Sequence, residues 1–164
     1  MQKLITIVIP ARNDKYYHNF SSIINFTINY SLLKIYELNL ENIFEILLID
    51  WQGTKSLNDD IYIPLNFRKN FKIIRAPKKI IKKNLNNGFN VSEAQNFGLN
   101  YTKSKYCFLA HADQIYSKSF FLNMETYVNN KHLSRNKTEN SILYIPRKFL
   151  DENFFSHNLS EKTV

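Results

Sequence analysis

The sequence predicts an α/β domain of three layers, with a mostly parallel sheet held between helices. Three observations lead there. Short apolar runs rich in β-branched residues, Leu4 to Ile9, Ile46 to Ile49 and Tyr106 to Ala110, read as strands covered on both faces. Segments with helical spacing separate them, and strand-then-helix units in succession argue for parallel strands joined by right-handed crossovers. Each run then stops at a polar cluster: Arg12-Asn13-Asp14, Asp50-Trp51 and His111-Ala112-Asp113. In a doubly wound sheet the C-terminal ends of parallel strands share one edge, so these clusters would gather in one crevice.

Taken in order, the first strand is expected over Leu4 to Ile9, ended by Pro10. A helix follows from about Tyr17 to Asn39. Phe20, Ile24, Ile28, Leu32 and Ile35 make its apolar stripe, and Ile23, Phe26 and Leu33 widen it. The second strand is Glu45 to Trp51, and its polar turn runs on through Gln52, Gly53 and Thr54. Ser56 to Phe67 is ambiguous and admits a short helix from Leu57 that Pro64 would stop. Phe71 to Ala76 is a third strand closed by Pro77, and Lys78 to Gly88 reads as a basic surface loop. A helix is expected from Val91 to about Lys103, with Asn90 as N-cap and Glu93 three residues on, as a capping box requires. Its inward face is Val91, Ala94, Gly98 and Tyr101. Gly98 costs about 1 kcal/mol of helix stability relative to Ala, which close packing on a strand or ligand would explain. Tyr106 to Ala110 is the fourth strand, with Cys107 as a small core residue. Phe120, Phe121, Met124, Tyr127 and Val128 mark a fourth helix, and Ser141 to Ile145 a fifth strand before Pro146-Arg147.

Composition narrows the class. A chain of 164 residues with 44% hydrophobic and 22% charged residues can build one core and is not disordered. One domain over 1–150 is expected, followed by a polar tail, 151–164. The formal charge of +8 raises nucleic acid as a partner. The positive charge is mostly Lys in a chain rich in Asn and Ile, and base readout favours Arg, so no nucleic acid is expected. The basic stretch Lys78 to Lys83 is where a peripheral membrane contact would fall. Leu4 to Ile9 is too short for a signal peptide and no apolar run approaches a membrane span, so a cytoplasmic location is the expectation. A single cysteine excludes an internal disulfide and a cysteine-based zinc site.

His111 and Asp113 stand two apart, so in extended backbone both side chains would point at one spot, where an imidazole and a carboxylate can hold a divalent metal. The other site residues each have a plainer reading too: a surface turn for Arg12, a core anchor for Trp51, a solvent-facing amide for Asn96.

In this order the residues resemble a known family across roughly the first two-thirds of the chain. Ile5-Thr6-Ile7-Val8-Ile9-Pro10-Ala11-Arg12-Asn13 resembles the opening strand and turn of GT-A glycosyltransferases of the family 2 type. Glu45 to Trp51 is similar to their second strand, in the subgroup where it ends in Asp-Trp. Ser92 to Leu99 resembles the helix beside the donor, and His111-Ala112-Asp113 falls where their Asp-x-Asp motif stands. The resemblance implies a nucleoside diphosphate sugar as donor and a saccharide or other hydroxyl as acceptor. It implies Ala11, Arg12 and Asn13 against the nucleoside, Asp50 accepting from the base beside Trp51, and Gln95 and Asn96 facing the donor. Asp113, with His111 in place of the first acid, would ligate Mn²⁺ or Mg²⁺ bridging the diphosphate. The family's acceptor half has little room here, so the chain is expected to be short or truncated, with Asp151 or Glu152 as candidate bases. The rival expectation is a non-catalytic domain that binds a nucleotide or a partner protein.

Overall fold

The structure, a computed structural model, describes residues 3–13, 19–51, 53, 55–81 and 89–133. The chain divides into two units, Met1–Leu133 and Ser134–Val164. The second lies outside the described residues, and with it the expected fifth strand, the tail, Asp151 and Glu152. Asp14, Gln52, Thr54, Lys82 and Lys83 also lie outside them.

Among the described residues four parallel strands form the sheet of the first unit, in the order β3-β2-β1-β4. They are β1 Ile5–Ala11, β2 Phe44–Asp50, β3 Phe71–Arg75 and β4 Tyr106–Leu109. Four α-helices accompany them among the described residues: α1 Phe20–Glu37, α2 Lys78–Ile81, α3 Val91–Leu99 and α4 Lys118–Leu133. Two strands buried along their whole length, β1 and β2, occupy the middle, as their continuous apolar sequences require. In-register pairing sets Ala11 beside Asp50 and Asp50 beside Arg75.

Side chains alternate across the sheet, so β1 and β2 each serve two cores. On one face Val8, Leu47, Ile49 and Trp51 pack with Ala94 and Phe97 of α3 and with Ala76. Gly98 makes that contact close: a Cβ there would stand 2.6 Å from Val8 Cγ1 and 2.9 Å from Ile49 Cγ1. The glycine is a packing requirement of helix on strand. On the other face Ile5, Ile7 and Ile9 lie beside Phe44, Ile46 and Leu48. There α1 buries Ile24, Ile28, Leu32 and Ile35, and Phe121 of α4 meets Phe44 edge-on at 5.4 Å. Burial of each such side chain contributes about 1.5–3 kcal/mol.

Several expectations are corrected by tertiary context. Strand β1 runs through Pro10 to Ala11, where it was expected to stop. In a parallel ladder successive residues address opposite neighbours. Val8 accepts from Ala110 just past β4, and Ala11 accepts from Trp51 just past β2. Pro10 therefore faces β4, and its missing N–H ends the β1–β4 ladder while leaving the β1–β2 ladder intact. Strand β4 closes at Leu109 and stands at one end of the described sheet, with alternating burial rather than two covered faces. Cys107 and Leu109 are exposed on the side that α3 covers over β1, so Cys107 is no core residue.

Leu33 is exposed, and Thr27 and Ser31 are buried in its stead, because α1 presents a narrower stripe than its hydrophobicity suggests. Helix α1 ends with Asn39 at φ 57°, its N–H on the Tyr36 carbonyl and the Leu40 N–H on that of Ile35. This left-handed cap turns the chain into β2. The ambiguous stretch forms two 3-10 turns, Leu57–Asp59 and Leu65–Asn70; Pro64 precedes the second instead of stopping a helix. Lys78–Ile81, expected in a loop, is helical, since Pro77 presets the backbone that opens it. Helix α3 stops at Leu99, before the expected Lys103, and its inward aromatic is Phe97, with Tyr101 left exposed beyond the helix end. Its N-cap is as expected, with Asn90 accepting from the Glu93 N–H at 3.2 Å. Among the described residues no helix is long and apolar enough to cross a membrane.

Candidate functional site

The C-terminal edge of the sheet collects the strand ends that the sequence singled out. Hydrogen bonds continue one residue past the strands: Trp51 N–H donates to the Ala11 carbonyl at 2.8 Å and Ala76 N–H to that of Asp50 at 2.9 Å. Ala11, Asp50 and Trp51 are thereby fixed by backbone geometry alone. Arg12 and Asn13 follow at once, both half-buried. The Asn13 side chain donates to Asp60 Oδ2 at 2.9 Å, an oxygen that also accepts from Ser21 at 3.0 Å. This network pins the turn after β1 to the start of α1. Gly53 crosses the same turn so closely that a Cβ would lie 1.9 Å from the Asn13 carbonyl oxygen.

Asp50 is the most constrained group of the edge. Its side chain is 0% exposed. Oδ2 accepts from the Leu57 N–H at 3.1 Å and from Ser56 Oγ at 3.3 Å, and Arg75 Nε lies 3.7 Å away. Oδ1 is buried and has no hydrogen-bond partner. A buried carboxylate oxygen left without a donor costs about 1–3 kcal/mol or more, so such an atom marks a place where a donor from outside the chain would be stabilised. Trp51, its neighbour, sits 3% exposed in the α3 core, edge-on to Phe97 at 5.8 Å. It occupies a core anchor's place.

Around the end of β4 the backbone is a turn, not extended strand: the Gln114 N–H donates to the His111 carbonyl at 3.4 Å. The two-residue alternation that was expected to converge His111 and Asp113 therefore does not operate here. His111 is half-buried and Asp113 exposed. Side chains from two helices and from the turn itself hold this turn. Gln95 of α3 donates to the Ala110 carbonyl at 3.3 Å, the group that Pro10 leaves without a ladder partner. Thr27 of α1 donates to the Ala112 carbonyl at 2.8 Å. Gln114 Oε1 accepts from the His111 N–H at 3.2 Å and from the Tyr116 hydroxyl at 2.6 Å. Asn96, next to Gln95, is exposed on α3.

The edge thus brings together Ala11, Arg12, Asn13, Asp50 and Trp51 across β1 and β2, while Gln95, His111 and Asp113 meet around the end of β4. Sequence reasoning missed Ser56, Leu57 and Arg75 around Asp50, and Thr27, Gln114 and Tyr116 around the second turn. Arg75 carried a signal, standing immediately before the strand-closing Ala76-Pro77 as Asp50 stands before Trp51. Thr27 carried none, since a polar residue within an apolar helical stripe reads as an interruption. Among the described residues no group of three or more His, Cys, Asp or Glu is placed to hold a metal ion.

Comparison with known proteins bears on the fold. A crystal structure of S. aureus TarS, residues 1–349, a glycosyltransferase, is similar with a TM-score of 0.54 at 14% sequence identity. The similarity covers 79% of this chain and 33% of that one, so this chain spans a third of the TarS chain. It shows a glycosyltransferase-like α/β fold. No family model matches the sequence, and no curated protein matches it.

Proposed function

We propose that this chain is the donor-binding part of a GT-A glycosyltransferase, family 2-like. It takes a nucleoside diphosphate sugar at the C-terminal edge and passes the sugar to an acceptor hydroxyl. The observation that carries the reading is Asp50: a fully buried carboxylate at the C-terminal edge of the sheet, with one oxygen bonded by the chain and the other without a donor among the described residues. An N–H of a nucleobase supplies that donor, in a charge-assisted bond about twice as strong as a neutral one. Arg75 and the Leu57 N–H hold the carboxylate in place from the opposite side. Ala11 and Arg12 border the nucleoside, and Asp113 faces the diphosphate.

The donor set limits any metal. The described residues supply no protein-only cage. An ion held chiefly by diphosphate oxygens needs only one or two carboxylates, and the exposed Asp113 fits as that ligand, with His111 beside it in the turn. When bound there, Mn²⁺ or Mg²⁺ offsets charge on the leaving diphosphate. In a direct displacement the acceptor oxygen forms its bond to the anomeric carbon as the bond to phosphate breaks. The electron pair leaves with the nucleoside diphosphate, the acceptor proton passes to a base, and the anomeric centre inverts.

A second reading is a nucleotide-binding domain without transfer activity, since Asp50 would meet a nucleobase whether or not a sugar is passed on. Thermal melting with the diphosphates of uridine, guanosine, adenosine and cytidine, each with and without Mn²⁺ or Mg²⁺, tests what both share. One nucleotide at about 100 times its dissociation constant should stabilise the fold by about 2.7 kcal/mol. If none raises the melting temperature, the donor-site reading is lost. Release of sugar to an acceptor by a chain that binds would exclude the second reading.

A further inference from the structure

The turn that carries Asp113 is clamped from both faces of the sheet. Helix α3 packs on the Val8 face and α1 on the opposite one. From the first, Gln95 reaches the Ala110 carbonyl; from the second, Thr27 reaches the carbonyl of Ala112. These two carbonyls are alternate groups of one short stretch. The groups between them are also engaged, the His111 N–H on Gln114 Oε1 and the His111 carbonyl on the Gln114 N–H. Every tether ends on backbone. The Asp113 side chain, by contrast, is exposed and has no hydrogen-bond or ion-pair partner among the described residues.

Each clamp has a cost that local structure does not explain. Thr27 is 3% exposed in the middle of a helix, where an apolar residue would pack better. Its hydroxyl has a local acceptor, the Ile24 carbonyl at 3.1 Å, yet the Ala112 carbonyl is nearer at 2.8 Å. One proton cannot serve both fully, and the shorter bond is the one across the fold. Gln95 answers a need created in another element, since Pro10 of β1 lacks the N–H that the Ala110 carbonyl would meet in a longer ladder.

We propose that Thr27 and Gln95 are positioning residues, holding the 110–114 turn in one conformation so that Asp113 is presented preformed to the donor's metal–diphosphate. This role rests on the donor-site reading above. The holding of the turn itself does not. Its energetic sense is pre-organisation: a turn fixed in advance loses no conformational freedom when ligand arrives.

The test uses the full chain with Thr27→Val and Gln95→Leu, singly and together, and with Thr27→Ser as the conservative control. Backbone hydrogen exchange is followed by peptide alongside Mn²⁺ titration in the presence of the nucleoside diphosphate that stabilises the parent best. The double variant should raise exchange across 110–116 by about tenfold, with β1 and β2 unchanged, given the usual worth of a buried hydrogen bond. It should raise the Mn²⁺ midpoint by about tenfold, and Thr27→Val alone should leave metal-free nucleotide affinity within about twofold. Thr27→Ser, which keeps the hydroxyl, should match the parent in both. Unchanged exchange in the turn would overturn the clamp. Exchange raised throughout the sheet, or equal loss of metal-free and metal-dependent binding, would show a merely structural role and overturn the positioning. A parent that binds no nucleoside diphosphate with either metal removes the donor-site reading and the role toward the donor with it, while the exchange data still decide whether the clamp exists.

Discussion

Replacing Asp50 separates its two oxygens. Oδ2 serves the fold: it accepts from the Leu57 N–H at 3.1 Å and Ser56 Oγ at 3.3 Å and pairs with Arg75 at 3.7 Å. Oδ1 has no hydrogen-bond partner among the described residues. Asp50→Ala leaves the buried Leu57 N–H without an acceptor, at about 1–3 kcal/mol, and removes a second bond worth about 0.5–1.5 kcal/mol. The ion pair adds little, because Arg75 is 42% exposed on its side chain and solvent screens it. The sum, about 1.5–4.5 kcal/mol, lowers the melting temperature by about 3–18 °C in a chain of this size. Such a loss leaves an ordinary domain folded. Asp50→Asn keeps an acceptor for Leu57 and should melt within about 1 kcal/mol of the parent. The same change puts an amide N–H where Oδ1 stood and opposes a donor on the nucleobase. Losing a charge-assisted bond costs about 1.5–3 kcal/mol, so the nucleoside diphosphate should bind Asp50→Asn about 10- to 150-fold more weakly. Calorimetric titration and thermal melting of the two variants decide it. Parent-like affinity in a folded Asp50→Asn would refute the base-binding role, and an Asp50→Ala as stable as the parent would refute the structural one.

Other substitutions probe the packing and the second turn. Gly98→Ala gains about 1 kcal/mol of helix propensity but drives a methyl to within 2.6 Å of Val8 and 2.9 Å of Ile49, both fully buried. Overpacking costs about 1–3 kcal/mol, so urea unfolding should show no net gain and a loss of up to about 2 kcal/mol. Gly53→Ala meets the Asn13 backbone at 1.9 Å and must part the turns after β1 and β2, so it should both lower the melting temperature and weaken nucleotide binding; retention of both would count against the crossing of these turns. Asp113→Ala should abolish Mn²⁺-dependent nucleotide binding while leaving the unfolding free energy within about 0.5 kcal/mol of the parent, as an exposed side chain allows. His111→Ala should only reduce it, because an imidazole ligates a hard ion less well than a carboxylate. Equal metal titrations of parent and Asp113→Ala would remove this turn from the site.

The parallel α/β architecture could be read from the chain because its signals are local. The runs Ile5 to Ile9 and Ile46 to Ile49 are apolar on both faces, and that pattern has one use, a strand in the middle of a parallel sheet. Asn90 and Glu93 set the start of α3 through atoms three residues apart. Gly98 announced close packing, since a glycine in a helix needs a reason. The strand-end placement of Ala11, Asp50 and His111 followed from the same alternation, because parallel strands bring like ends together.

What only the folded chain decided turns on partners distant in sequence. The Tyr106–Leu109 run looks like the other strands, yet it stands at one end of the described sheet, and its Cys107 and Leu109 are exposed. Order within a sheet depends on crossovers, which the apolar content of one strand does not encode. Pro10 looks like a stop, and whether it is one depends on which neighbour its missing N–H faces. The same holds at the site. Asp50 was legible as a strand-end acid, but the division of labour between its oxygens required Leu57, Ser56 and Arg75. Asp113 was legible as a strand-end acid too, but its backbone is a turn because Gln114 folds back on His111, and Thr27 meets Ala112 across 85 positions of chain. A hydrogen bond between residues that far apart leaves no periodicity in the sequence; it exists only once α1 has packed on the sheet.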